Sequence, residues 1–432
     1  MKKVLVVGFF SPFRKGGSGR MLGIAKYLSS FGWKPYILTA PLETRPREEK
    51  ERYEITEVPY RGDVFWPLRK FFSLFGFRAE KNLTEQIKTS VGSSSRKTLI
   101  DWLVKTYQEL FGYPDTEQLW RGPAIREARS LMEREHMDAV LSIWPVSTHF
   151  VAKKMKEEFS IPWVADFPDP WSENHDYVYG KIRKWFDRRI ELNTIRASDA
   201  LTAASPSYAK KQNTLHGRPV VSIPNGFDTE LLAATRPPLT RTFSITYAGT
   251  IYKESQDPTR ILRALGNLVQ KGVVAKNDIE MRFYGTSQVW IDEAIRENGL
   301  SEVAKQYGPL PKEDVFAREC ESQILLLLGW EKKGELGVYP MKLFEYLAAE
   351  RPIIVTGGAV GEEIKDIVSD MSSGMAGTGI EEIEKILAEW YREFKKNGVV
   401  GYRGKKERVD EFSYTTMAKR FAEILDRCTT DK

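Results

Sequence analysis

From Gln323 to Thr356 the chain reads as a strand, a turn punctuated by glycine and proline, a helix and a second strand, and that order narrows the fold more than any other stretch. The apolar run Gln323 to Trp330 has the composition of a strand buried on both faces. Gly334, Gly337 and Pro340 mark the turn, with Pro340 where a helix start favours it. The segment Tyr339-Pro340-Met341-Lys342-Leu343-Phe344-Glu345-Tyr346-Leu347-Ala348-Ala349 supplies the helix, and Arg351-Pro352-Ile353-Ile354-Val355 returns to a strand. Such a unit belongs in a parallel sheet, and its helix starts at the C-terminal edge of the strands, the crevice where open α/β sheets bind ligands. Lys342 and Glu345, three residues apart, share one helical face. Free amide groups and the positive end of the helix suit a phosphate, Lys342 adds a full charge, and Glu345 can accept hydrogen bonds from a sugar diol. The same two residues also make an ordinary ion pair on an amphipathic helix, so this reading stands open at the level of sequence.

The alternation extends through the chain. Lys3 to Phe9, a helix from Ser18 to Phe31, Pro35 to Thr39, Asp138 to Trp144, a helix from Val146, Trp163 to Phe167, Ala200 to Ala203 and Val220 to Ile223 give a first doubly wound region. A second begins at Phe243 to Ala248 and continues through Glu280 to Tyr284, Gln323 to Leu328 and Pro352 to Thr356. Between them, Ala233 to Thr240, with Pro237 and Pro238, reads as a linker. A chain of 432 residues suits two domains of about 200 residues each. The expected boundaries are residues 1–232 and 241–410, with a final segment at 411–432.

Residues 60–126 break the alternation. Val64-Phe65-Trp66-Pro67-Leu68-Arg69-Lys70-Phe71-Phe72-Ser73-Leu74-Phe75-Gly76-Phe77-Arg78 interleaves aromatics with cations, which suits either an insertion packed on its own domain or contact of 64–78 with an anionic membrane surface. No groove-reading motif accompanies it, so nucleic acid is not an expected partner. No run reaches the ~18 apolar residues of a membrane span, and Met1-Lys2-Lys3 before Val4 to Gly8 reads as the first strand of a cytoplasmic protein instead of a signal peptide. Two cysteines and four scattered histidines give neither a disulfide framework nor a metal site. The net charge of +6 fits an anionic substrate or an anionic membrane equally well.

Gly16-Gly17-Ser18-Gly19-Arg20 follows the first strand and opens a helix, where a glycine-rich loop lets backbone amides approach an anion or a sugar. It lacks the spacing and the ribose-binding acid of a dinucleotide fingerprint. Asp166-Phe167-Pro168-Asp169-Pro170-Trp171 ends a strand in two acids held by prolines. Asp169 is the candidate catalytic base toward an acceptor hydroxyl. Asp166 either faces the acceptor or caps the turn, and His149, at the start of the preceding helix, is either an acceptor-side residue or structural. Tyr247-Ala248-Gly249-Thr250-Ile251-Tyr252-Lys253 ends the first strand of the second region, with Lys253 either beside a bound phosphate or in solvent.

The run P-x-K-x-x-E-Y-L-A-A-x-R-P-I, the acid-proline run at Asp166 to Trp171, and Ile223-Pro224-Asn225-Gly226-Phe227-Asp228 together resemble GT-B glycosyltransferases of the family 4-like group. The resemblance spans most of the chain and implies two Rossmann-like domains facing across a cleft, with the last helix crossing back to the first domain. It implies sugar transfer, with retention, from a UDP- or GDP-sugar to a hydroxyl of a glycan or lipid-linked glycan, without a metal or other cofactor, in the cytoplasm or at the cytoplasmic face of a membrane. Glu345 takes the place of the second glutamate of the E-x7-E motif, which bonds the donor ribose. Lys342, Lys253 and Thr250 fall near the diphosphate, Gly17 and Gly19 in the loop beside it, and Gly308 in a loop around the base. The first motif glutamate is Gly337 here, and Thr250 stands where relatives carry arginine. Those two departures keep a non-catalytic assembly protein as an alternative, and a nucleotide-sugar epimerase, which shares the fold, is the other.

Overall fold

The computed structural model describes residues 1–9, 18–41, 53–60, 64, 106–107, 109, 111–174, 177, 179–230, 236–253, 255–331, 336–358 and 363–430. The segment 65–105, with nearly all of the 64–78 run, and the loop 10–17, with Gly17, lie outside them. The chain forms two compact units, Met1–Ile223 with Ala418–Lys432, and Pro224–Met417.

The first unit alternates strand and helix from its start: β1 (Lys2–Val7), α1 (Ser18–Tyr27), β2 (Trp33–Thr39) and β3 (Glu54–Glu57). After the irregular region come α2 (Gln118–Glu135), β4 (Ala139–Ile143), α3 (Val146–Phe159) and β5 (Trp163–Phe167). The series ends with α4 (Lys181–Ile195), β6 (Ala200–Ala203), α5 (Pro206–His216) and the short β7 (Val221–Ser222). The seven strands are all parallel in the order β3-β2-β1-β4-β5-β6-β7. β1, β4 and β5 are buried on both faces over most of their length, which is why they read as continuous apolar runs.

The second unit repeats the plan. It runs β8 (Phe243–Ala248), α6 (Thr259–Gln270), β9 (Ile279–Tyr284), α7 (Val289–Glu297), β10 (Ala304–Gly308) and α8 (Lys312–Cys320). Next are β11 (Ile324–Gly329), α9 (Met341–Ala349), β12 (Ile353–Gly357), α10 (Glu363–Asp370), β13 (Gly374–Gly377), α11 (Ile380–Asn397) and α12 (Lys406–Asp410). The sheet order is β10-β9-β8-β11-β12-β13, again parallel throughout. Side chains divide between its faces with the period of a strand. Ile324, Leu326 and Leu328 of β11 join one core with α6, α7 and α11. Leu325 and Leu327 join another with α9 and α10.

The final helix, α13 (Tyr414–Thr430), starts in the second unit and from Ala418 counts with the first. There Asp426 accepts hydrogen bonds from the Lys2 ammonium at 2.9 Å and the Trp33 indole at 3.2 Å.

The units divide at Ile223–Pro224, earlier than the 233–240 linker read from the sequence. Short-range packing explains the difference. Phe227 bridges to Ser413, and a side chain on Gly226 would run into the backbone at Phe412. Farther on, the Arg236 guanidinium donates to the Ala348 and Ala349 carbonyls at 3.1 Å and pairs with Glu350, closing the C-terminal end of α9. The paired prolines therefore follow a segment already fastened to the second unit.

Candidate functional site

In the second unit the strand order reverses between β8 and β11, and in an open α/β sheet that switch point is where a ligand finds its crevice. The C-terminal ends of the strands there are built from glycine. Gly249 donates to the Tyr284 carbonyl at 2.6 Å, and Gly285 donates to the Gly308 carbonyl at 3.0 Å, so three strand ends are laced by main chain. Their φ values are +122°, +143° and +80°, a region that side chains disfavour. A Cβ on Gly285 would also run into the Gly249 carbonyl oxygen.

Helix α9 begins at Met341 after Pro340, which fixes the entry and has no amide to leave unpaired. Its buried face, Leu343, Phe344, Tyr346 and Leu347, packs on β11 and β12. The Tyr346 hydroxyl oxygen accepts the Ala248 amide at 3.0 Å, tying the helix to the end of β8. This places Lys342, in the first turn, against Gly249: a Cβ on that glycine would lie 3.0 Å from the Lys342 Nζ.

The Lys342 ammonium donates to the Tyr247 hydroxyl and lies 3.9 Å from that ring's centroid. Tyr247 in turn donates to the Thr250 carbonyl at 3.1 Å, so its oxygen is oriented to accept from the lysine. Burial brings the Lys342 pKa down to about 7, against the opposing pull of the Glu319 and Glu345 carboxylates. At neutral pH the site thus holds a cation that is half discharged. A bound diphosphate would restore its full charge.

The expected donor residues do not all converge. Gly249, Thr250 and Lys342 come together at the end of β8, with Gly308 on the same rim and Glu345 one turn along α9. Lys253 does not join them. Its ammonium sits 5.8 Å from the centroid of the Trp290 ring on α7, where a cation gains from the aromatic face. Gly337 has a φ of +88°, so the position of the first motif glutamate is a left-handed turn suited to glycine. Glu335, the acid two residues before it in the sequence, lies outside the described residues. Two contributors were missed from sequence. Tyr247 was read only as part of a strand end, and Glu319, almost fully buried on α8, gave no signal because its relation to Lys342 is tertiary.

In the first unit Gly19 is the second residue of α1, whereas Gly17 is outside the described residues. Asp169 is exposed just beyond the C-terminal end of β5, where a carboxylate can meet an incoming hydroxyl. Asp166 is not an acceptor-side group. It is completely buried, and Arg20 grips it through two hydrogen bonds, Nε to Oδ2 at 2.6 Å and Nη2 to Oδ1 at 2.7 Å. The register of β5 and β6 sets Asp166 beside Thr202, whose hydroxyl donates to Oδ1 at 2.5 Å. Arg20 also donates to the Ile223 carbonyl at 2.7 Å and stacks 4.9 Å over Phe421. The acid therefore anchors α1, and with it the end of the glycine loop, to the sheet.

His149 is also placed differently from the acceptor-side expectation. It stacks on Phe167 at 4.5 Å within the core, and its Nδ1 lies 2.8 Å from the Ser142 hydroxyl. Because the Trp163 indole donates to that hydroxyl oxygen at 2.7 Å, the Ser142 proton is free to point at Nδ1. Burial drives the His149 pKa down to about 3, so the ring is neutral and structural at physiological pH. Among the described residues, no group of three His, Cys, Asp or Glu side chains is arranged to hold a metal ion.

Residues 94–231 match the family described as Glycosyltransferase Family 4. No curated protein matches the sequence. Among solved structures, a glycosyltransferase from Rickettsia africae is 14% identical with a TM-score of 0.61, over 100% of this chain and 99% of that one. A sucrose-phosphate synthase from Thermosynechococcus elongatus is 11% identical with a TM-score of 0.61, over 100% of both chains. The Anabaena protein HepE, solved with UDP and glucose, is 12% identical with a TM-score of 0.58, over 99% of this chain and 100% of that one. The fold is GT-B, and the match to Glycosyltransferase Family 4 covers residues 94–231.

Proposed function

We propose that this protein transfers a sugar from a UDP-sugar to a hydroxyl of a glycan or lipid-linked glycan. The observation that carries the proposal is the partly buried Lys342 ammonium in the first turn of α9, beside the glycine-built strand ends of the second unit. Breaking the bond between sugar and diphosphate leaves negative charge on the departing phosphate. A helix N-terminus and a poorly hydrated lysine stabilise that charge where it develops, and they need little reorganisation to do so. Tyr247 holds the ammonium in place through its own bond to Thr250.

In this reading Glu345 takes the ribose, and the rim at Gly285 and Gly308 lies against the base, where main-chain groups can read its edge. HepE, with UDP and glucose bound, supports uridine over guanine as the first base to test. Asp169 receives the acceptor proton, and the family match supports retention at the anomeric carbon. The expected setting is the cytoplasm, at the membrane face if the acceptor is lipid-linked. No helix among the described residues is long and apolar enough to cross a membrane.

The test is a binding titration of the purified protein with UDP, GDP and their sugar derivatives, alongside Lys342→Ala and Glu345→Ala, followed by acceptor-dependent turnover. UDP binding weakened by both substitutions is the expected result. Binding untouched by either substitution would remove the donor site from α9, and a changed configuration at a sugar carbon with no acceptor-dependent transfer would point to epimerase chemistry. Asp169→Asn should lower turnover while sparing UDP affinity.

A further inference from the structure

Three bulky apolar side chains of α4 face solvent: Ile182 is 77% exposed, Trp185 55% and Phe186 49%. Their spacing of three and four residues sets them on one stripe of the helix. Arg183, Asp187, Glu191, Thr194 and Ile195 are buried on the opposite side. The Trp185 and Phe186 rings meet edge to face at 4.8 Å, so the stripe forms a single aromatic ridge.

Charge is sorted across the same helix. Both of its acids are buried, with Asp187 paired to Arg183 at 3.1 Å, while the charged side chains left at the surface, Lys181, Lys184, Arg188 and Arg189, are all cations. Glu173 offsets Lys184 and Arg188, at 3.2 and 2.9 Å. Among the described residues neither Lys181 nor Arg189 has an acidic partner, and the Arg189 guanidinium rests 5.3 Å from the centroid of the Trp185 ring. The ridge is also held rigidly. Arg183 is clasped between the rings of Tyr113 and Tyr179, at 4.3 and 4.7 Å, and donates to the Gly112 carbonyl at 3.0 Å.

An apolar ridge whose exposed charged neighbours on the helix are all cations, only two of them offset by Glu173, matches a surface with an anionic layer over an apolar one. We propose that the outer face of α4 docks on an anionic lipid bilayer. Ile182, Trp185 and Phe186 enter the boundary between headgroups and acyl chains, while Lys181, Arg188 and Arg189 meet lipid phosphates. This proposal does not depend on the transferase reading, since vesicle binding needs no sugar transfer.

The test is sedimentation of the full chain with vesicles of phosphatidylcholine alone and of phosphatidylcholine mixed with phosphatidylglycerol, at low and high salt. Two variants accompany it, Trp185→Ser with Phe186→Ser, and Lys181→Glu with Arg189→Glu. The expected result is binding to the phosphatidylglycerol vesicles only, weakened by salt and reduced about tenfold or more in either variant. Thermal unfolding and UDP affinity should stay unchanged, because every substituted side chain is exposed. Equal vesicle binding by the wild type and both variants overturns the proposal, as does failure of the wild type to bind the anionic vesicles. Sedimentation velocity without lipid adds a third way to fail: a dimer abolished by the substitutions would assign the ridge to a second copy of the chain.

Discussion

Lys342 should make nucleotide binding take up a proton. Its pKa of about 7 in the free protein lies well below the ordinary 10.5 because burial disfavours the charged form. A diphosphate placed against it favours the charged form, so the pKa rises on binding. The terminal phosphate of UDP has its titration midpoint at about pH 6, leaving the lysine as the main group that changes above neutrality. Lys342 is about half protonated at pH 7 and about 1% protonated at pH 9, so holding it charged costs roughly fiftyfold in affinity across that range, about 2.3 kcal/mol. Proton uptake should rise from about half a proton at pH 7 to nearly one at pH 9. Calorimetric titration of UDP in two buffers of different ionisation enthalpy measures this directly. Lys342→Met should bind weakly with a flat pH profile, and Lys342→Arg should bind without uptake, because a guanidinium stays charged. Absence of proton uptake near pH 8, or the same pH slope in Lys342→Met, would refute the reasoning.

Asp166→Asn strands the Arg20 guanidinium in the core and should cost about 3–5 kcal/mol, read as a lower urea midpoint for the first unit. For His149 the depressed pKa means that the unfolded chain binds more protons than the folded one between about pH 3 and the usual 6.5. Stability should therefore fall as pH drops through that window, and the loss should shrink in His149→Phe, measured as the difference between the two urea curves. Gly285→Ala forces a side chain into the Gly249 carbonyl at a φ of +143° and should lower the thermal midpoint and UDP affinity together. An unchanged midpoint would show that the rim can shift at little cost.

The doubly wound pattern was legible because buried parallel strands such as Ile324–Gly329 are continuous apolar runs and helices such as α11 carry a strong amphipathic period. β13, Gly374–Gly377, was not legible. Its sequence has no strand preference, and pairing with β12 holds it extended where Gly374 packs against the Ile353 backbone. The juxtaposition of Lys342 and Glu345 followed from helical spacing. The roles of Asp166 and Asp169 could not be separated by local pattern, because the partner that buries the first, Arg20, is 146 residues away in sequence. His149 fails for a similar reason: a histidine in the first turn of a helix looks exposed until Phe167 and Trp163 close over it. Lys253 was assigned from its nearness in sequence to Thr250, yet it finds Trp290, on the helix that follows the next strand.

The glycine lacing of Gly249, Gly285 and Gly308 bears on how this protein can be re-engineered. A rim of bare main chain offers nothing to exchange, since each of the three glycines holds a positive φ, a side chain on Gly285 would run into the Gly249 carbonyl, and one on Gly249 would press on Lys342. Attempts to change nucleotide preference should leave those three positions alone and work on Thr286 and Tyr307, which stand exposed immediately beside them. Selectivity is then adjustable in steps, one protruding group at a time, on a foundation that stays fixed.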